Sequence, residues 1–310
     1  MLKKHLQYEL WKNCEHNCKF CYNQGIKYNP KDKWKVLDKC VHDITCKTSY
    51  DTISFIGGEL FGYEYDETKY ELYHIARLLN EKFDSGQLKQ LNLTASLIYE
   101  NEYDNLIDLL DTLNQHIEHI NILTSYDTIG RFKDLTEERN WFMNIQSLKI
   151  GYPTININCT TIITGDLIDK YLNNDFKFEY LTNLNNIDSI YLKLPQLPYM
   201  IKSKKEMNTK LPNFFPTKNQ FIKFLEKIQT DNSELWNCLF NIEKRADTLI
   251  MVMPDGNLIK QKRNKENNIE FMSDKDYILP CGHQSIYAPF IDSDDCALCI
   301  KQIMGENNED

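Results

Sequence analysis

Short apolar runs alternate with amphipathic stretches over the first two thirds of the chain. Residues 6–11 (Leu-Gln-Tyr-Glu-Leu-Trp) read as a strand, and residues 52–56 (Thr-Ile-Ser-Phe-Ile) as a second that ends in Gly57-Gly58. Four more runs, at 91–98, 120–124, 154–163 and 189–194, share the Ile, Leu and Thr content of strands. Between the strands, Leu72, Ile75, Ala76 and Leu79 fall at i, i+3, i+4, i+7. Leu106, Leu109, Leu110 and Leu113 repeat that spacing, which gives a helix one apolar face. Strands alternating with helices predict βα units and a mainly parallel sheet. Six units fit into residues 6–194, whereas a full eight-fold barrel takes about 250 residues. The expected fold class is therefore α/β, an open or partial (β/α)6 TIM-like barrel, over residues 1–200.

The pattern then changes. Pro195, Pro198, Pro212 and Pro216 punctuate a polar stretch containing Lys202, Lys204 and Lys205, which predicts a linker or crossing loop at residues 201–216. Phe221, Phe224, Leu225 and Ile228 mark one further amphipathic helix. Residues 248–253 and 258–262 flank Pro254-Asp255-Gly256-Asn257 as a β-hairpin. Residues 217–310 are expected to form a small C-terminal α+β metal-binding extension.

Composition narrows the function classes. With 36 Lys and Arg against 45 Asp and Glu, the net charge is −9, which argues against an extensive nucleic-acid footprint. Hydrophobic residues make up 42% and can fill a core, so the chain is a globular protein rather than a disordered polymer. No apolar run reaches the roughly 18 residues of a membrane span, and the start lacks the apolar stretch of a signal peptide. The expectation is a cytoplasmic protein with no membrane partner. Ten cysteines are too few for a disulfide scaffold of this length, so closely spaced ones point to metal or redox chemistry.

Cys14, Cys18 and Cys21 form C-x3-C-x2-C directly after the first strand. Three thiolates on one loop can hold three irons of a 4Fe–4S cubane and leave the fourth open to a chelating ligand. A zinc loop or three unrelated thiols are the plainer readings. The segment from Tyr8 through Cys14, Cys18, Phe20, Cys21 and Tyr22 resembles the signature of the radical S-adenosylmethionine (SAM) enzymes. Phe55-Ile56-Gly57-Gly58-Glu59, after the second strand, resembles that family's GGE motif. Leu60 departs from the proline often found there.

The resemblance implies a 4Fe–4S cluster on Cys14, Cys18 and Cys21, with the SAM amino and carboxylate groups on the open iron. It implies Phe20 near the adenine, Gly57 and Gly58 close to the methionine moiety, and Glu59 near the SAM ammonium. Ser125, Asp127 and Asn158, at the ends of the fourth and fifth strands, are candidates for the ribose and carboxylate. Ser125 and Asp127 read equally well as a cap or turn, and His16 reads as a loop residue. The chemistry implied is reductive cleavage of SAM to a 5′-deoxyadenosyl radical, fed by a one-electron reductant such as a flavodoxin or ferredoxin. The substrate is not legible, whether peptide, nucleotide or small metabolite.

Cys281, His283, Cys296 and Cys299 make a second cluster, C-x-H followed by C-x2-C. Two pairs of N/S ligands suit closed tetrahedral zinc. An auxiliary iron–sulfur cluster is the competing reading, with Cys238 able to replace His283, and uncoordinated thiols are a third. The hairpin followed by cysteines resembles the C-terminal extensions of peptide-modifying radical SAM enzymes, which slightly favours a peptide substrate. A different class of function, a non-catalytic metal-binding adaptor with structural Fe–S or zinc sites, stays open, as does a glycyl-radical activase. Cys40, Cys46 and Cys159 are expected to be buried thiols.

Overall fold

The computed structural model describes residues 4–273 apart from 17, 20, 22–28, 48–49, 184–185, 194, 196–203, 233–234, 236–247, 253–257 and 264–268. Six strands, β1 (Lys4–Glu9), β2 (Thr52–Ile56), β3 (Gln90–Thr94), β4 (Ile120–Tyr126), β5 (Asn156–Ile162) and β6 (Ser189–Lys193), pair in parallel in chain order. Helices α1 (Asp32–Cys46), α2 (Tyr63–Asp84), α3 (Glu100–Thr112), α4 (Leu135–Gly151), α5 (Gly165–Leu172) and α6 (Glu179–Asn183) occupy the crossovers. This is an open α/β sheet of six βα units, as the periodicity predicts.

The C-terminal strands correct the expected separation of an extension. Beyond α7 (Lys204–Lys210) and α8 (Lys218–Asp231), β7 (Thr248–Val252) pairs in parallel with β1. β8 (Leu258–Arg263) and β9 (Ile269–Ser273) continue antiparallel from it, so one nine-stranded sheet runs β6-β5-β4-β3-β2-β1-β7-β8-β9. The expected linker also packs. The carbonyls of Phe214 and Asn213 accept from Gly165 N (3.2 Å) and Asp166 N (3.0 Å) at the start of α5, and Asn213 Nδ2 donates to Asp169 at 2.8 Å. Phe214 and Phe215 are buried, so Pro212 and Pro216 lie in a docked segment, as a crossing loop would. Among the described residues no helix is long and apolar enough to cross a membrane.

Strand alternation sorts the two faces. Leu6, Tyr8, Phe55, Leu91, Leu93, Ile120, Ile122 and Ile157 are buried in the core, and Tyr8 Oη donates to Asp43 of α1 at 3.0 Å. Alternate residues line the other face with polar groups. Asn92 Nδ2 donates to Ser54 Oγ (2.8 Å), Asn121 Nδ2 to Asn92 Oδ1 (2.8 Å), and Ser54 Oγ lies 2.6 Å from His5 Nε2. Because Ser54 already accepts from Asn92, its own proton can go to His5, which suits a neutral imidazole with a bare Nε2.

Burial lowers the pKa of His5 to about 4 against a weaker upward pull from Asp51. The unfolded chain, with its histidine near 6.5, takes up a proton where the folded chain does not. This contribution to stability is therefore complete above pH 6.5 and declines as pH falls towards 4, by ~1.4 kcal/mol per unit and about 3 kcal/mol in all. Urea unfolding of wild type and His5→Gln between pH 7 and 4 is expected to show that loss in wild type and a correspondingly smaller one in the variant. Parallel curves would refute it.

Candidate functional site

The chain leaves β1 still hydrogen-bonded to β2, with Leu10 N donating to Ile56 O at 2.9 Å. The pairing carries on into the two loops. Gly58 N donates to Trp11 O (2.9 Å), Glu59 N to Asn13 O (3.0 Å), and the buried Trp11 Nε1 to Glu59 O (2.8 Å). The Gly-Gly-Glu turn is thus laid along the backbone that leads into Cys14. This supplies the reason for the two glycines. A Cβ on Gly58 would stand 1.9 Å from Asn13 O, and one on Gly57 would stand 2.6 Å from Trp11 O. The close approach that excludes side chains here is that of the chain's own cysteine loop, where the sequence pointed to a bound methionine moiety.

Cys14, Cys18 and Cys21 are all half-buried and none of them is in a disulfide. Cys21 N donates to Cys18 O at 3.0 Å in a tight turn. Burial pushes the Cys14 thiol well up, and Glu59, Cys21 and Cys18 add to that push. Burial likewise pushes Cys18 to about 11 against the opposing charge of Arg131. Half-buried thiols that raise one another's pKa resist ionising together unless a cation is bound by them, and a 4Fe–4S core is such a cation. The donor set fits the cluster. Phe20, Cys238, Cys281, His283, Cys296 and Cys299 lie outside the described residues. Cys40 and Cys159 are buried as expected, whereas Cys46 is exposed, on the outer side of α1 with its Sγ 3.7 Å from His42 Nδ1.

His16 is more than a loop residue. Its Nε2 lies 2.5 Å from Glu102 Oε1, 2.6 Å from Ser96 Oγ and 3.7 Å from Glu59 Oε2, and its ring stacks on Tyr99 with centroids 4.9 Å apart. Glu102 also accepts from Ile98 N and Tyr99 N at the start of α3. Burial raises its pKa, but the His16 and Ser96 bonds outweigh that and hold it below the usual carboxylate range. Glu59 accepts from Phe61 N (3.0 Å) and Ser96 N (2.8 Å), while burial and then Glu102 raise it to about 7. His16, Glu59 and Glu102 are close enough to suggest a metal site. Yet 2.5 Å is hydrogen-bond distance, shorter than the roughly 3.4 Å between two ligands on one zinc ion with ~2.1 Å bonds. His16 and Glu102 stand too close together to share one ion.

At the end of β4, Asp127 acts as the turn-former that its position allows. Its Oδ1 accepts from Ile129 N (2.9 Å), Gly130 N (2.5 Å) and Arg131 N (3.3 Å), and its pKa is raised by burial despite those bonds. Ser125 Oγ accepts from Arg131 Nη1 at 2.5 Å. Asn158 is half-buried on β5, level with Leu123 and Ser189. Arg131 is the residue that sequence reasoning passed over. No motif marks it, and only the Asp-x-x-x-Arg spacing after a strand could have flagged it. Beside this turn, a cavity of about 940 Å³ opens between the loop after β4 and the α5–α6 connection. Tyr126, Phe132 and Phe176 line it, and Lys19 reaches it from the cysteine loop.

Residues 7–123 match the family described as a 4Fe-4S single cluster domain. No curated protein matches the chain. Among solved structures, the crystal structure of HydG, a maturase of the [FeFe]-hydrogenase, is similar with a TM-score of 0.41 and 10% identity, over 73% of this chain and 49% of that one. The chain spans about half the length of that protein, and the likeness is too distant to bear on activity. The C-x3-C-x2-C loop and the Gly-Gly-Glu turn bound to it both lie inside the segment that matches the 4Fe-4S single cluster family.

Proposed function

We propose that the protein is a radical SAM enzyme, with a 4Fe–4S cluster on Cys14, Cys18 and Cys21 and SAM on the open iron. The observation that supports this most is the joining of the Gly-Gly-Glu turn to the cysteine loop through Gly58 N–Trp11 O and Glu59 N–Asn13 O. A merely structural thiol loop gives no reason for a buried carboxylate to be fixed beside it. When bound, the cluster and SAM supply one-electron cleavage of the sulfonium to methionine and a 5′-deoxyadenosyl radical, which takes a hydrogen atom from the substrate.

The chain's own part is to bind, orient and exclude water. Glu59 offers a fixed acceptor for an ammonium group, and Ser125 and Asn158 offer hydrogen-bonding groups on the polar face of the sheet. A low-potential donor such as a flavodoxin or ferredoxin delivers the electron. A peptide is the favoured substrate class, on the strength of the C-terminal cysteines, and Cys281, His283, Cys296 and Cys299 hold zinc or an auxiliary cluster.

Anaerobic reconstitution followed by SAM and dithionite is expected to yield 5′-deoxyadenosine, detected by mass spectrometry. Alanine at Cys14, Cys18 or Cys21 is expected to abolish it together with the SAM-dependent change in the cluster's electron paramagnetic resonance signal. A wild-type protein that assembles no cluster and binds no SAM would return the chain to the adaptor reading.

A further inference from the structure

We infer that Arg131 is a built-in counter-charge for the cluster, a buried guanidinium fixed at the Cys18 side of the cysteine loop that raises the cluster's reduction potential. The inference rests on the cluster assignment of the preceding section and adds to it a residue that tunes its redox behaviour.

Arg131 is only 9% exposed, yet its bonds go to neutral groups. Nη1 donates to Ser125 Oγ at 2.5 Å and Nη2 to Ser96 O at 2.9 Å, while the buried Nε has no hydrogen-bond partner. Among the described residues no carboxylate forms an ion pair with it. Asp127, buried beside it, feels its charge; its Oδ1 accepts from three backbone N–H groups and its Oδ2 has no hydrogen-bond partner. A cation buried among neutral dipoles costs several kcal/mol unless an anion completes it.

The cysteine loop is the anion close at hand. Cys18 Sγ lies 3.7 Å from the Arg131 carbonyl, and Lys19 N donates to Gly130 O at 3.0 Å, so the Asp127 turn and the loop form one rigid piece. A loaded cluster brings three thiolates to that piece. Its reduction takes one electron from a low-potential donor and carries the core from 2+ to 1+ with the thiolates unchanged. No bond forms or breaks, and the net negative charge grows by one. A fixed positive charge in a low-dielectric setting therefore favours the reduced form. Lys19 carries the same sign but is exposed, and solvent screens it.

The test is a potentiometric titration of the reconstituted protein without SAM, read by the cluster's electron paramagnetic resonance signal. In Arg131→Gln the ratio of reduced to oxidised cluster at a fixed poise is expected to fall about tenfold, equivalent to 59 mV for a one-electron couple. Arg131→Lys is expected to stay within about threefold of wild type. An unchanged or raised ratio in a cluster-loaded Arg131→Gln protein overturns the inference. If that variant loads no cluster, Arg131→Met, similar in length, is titrated in its place. If neither neutral variant loads while Arg131→Lys does, the positive charge itself is needed to hold the cluster, which supports the inference. Failure of Arg131→Lys as well would make the forked geometry, not the charge, the essential feature and overturn it. A wild-type protein without a cluster would instead sink the parent assignment.

Discussion

Gly58→Ala is expected to strip the protein of its cluster and to lower its melting temperature by roughly 6–20 °C. The added methyl would meet the Asn13 carbonyl at 1.9 Å, with Asn13 C and Lys12 O close behind at 2.5 and 2.6 Å. All three are backbone atoms, so no side chain can rotate out of the way. The two loops must part, breaking Gly58 N–Trp11 O, Glu59 N–Asn13 O and Trp11 Nε1–Glu59 O together. Three hydrogen bonds at about 1 kcal/mol each, plus the unpacking of Trp11, come to about 3–5 kcal/mol, and about 2–4 °C accompany each kcal/mol in a domain of this size. Gly57→Ala, with its nearest clash at 2.6 Å, is expected to do the same to a smaller extent. Iron content and differential scanning calorimetry decide the matter, and a Gly58→Ala protein with wild-type values on both would show that the loops are not locked.

Lys33→Met is expected to cost about 3–5 kcal/mol in urea unfolding at neutral pH. Lys33 is buried on α1 and bonds Glu64 and Glu67 at the start of α2. Glu64 is 3% exposed and also accepts from Asn13 Nδ2 of the cysteine loop at 3.2 Å. Removing the ammonium leaves that carboxylate in the interior with an amide as its remaining partner, whereas the exposed Glu67 returns to water. The cost thus lies mainly in the stranded Glu64 charge. Lys33→Met combined with Glu64→Gln is accordingly expected to recover more than half of the loss. A single variant within 1 kcal/mol of wild type would mean that Glu64 finds other solvation.

Local pattern carries as far as local physics reaches. Thr52–Ile56 is read to the residue because a short run rich in β-branched and aromatic residues is bounded directly by two glycines. Helix α4 escapes notice because Leu135 and Ile150, both about 80% exposed, blur the period of the buried Trp141, Ile145 and Leu148. The β7–β8 hairpin is legible, but its parallel docking on β1 is not, since no residue near Thr248 records which strand lies beside it. The same limit divides the site. The three cysteines and Gly-Gly-Glu are contiguous and stand out. The His16–Glu102 contact joins residues 86 positions apart in the chain, and the isolated Arg131 shows its meaning only once burial and partners are known.

The pairing of β1 with β7 also orders events in time. β1 has neighbours on both sides in the finished sheet, yet one of them is the strand that starts at Thr248. At about 5–20 residues per second, a ribosome takes roughly 10–50 s to travel from the first strand to the seventh. For that interval the strand that feeds the cysteine loop presents a bare row of backbone donors and acceptors, the kind of edge that recruits foreign strands. Maturation of the metal centre is thereby tied to the far end of the nascent chain, and a cell producing this protein must shield an early-made edge until its late-made neighbour arrives.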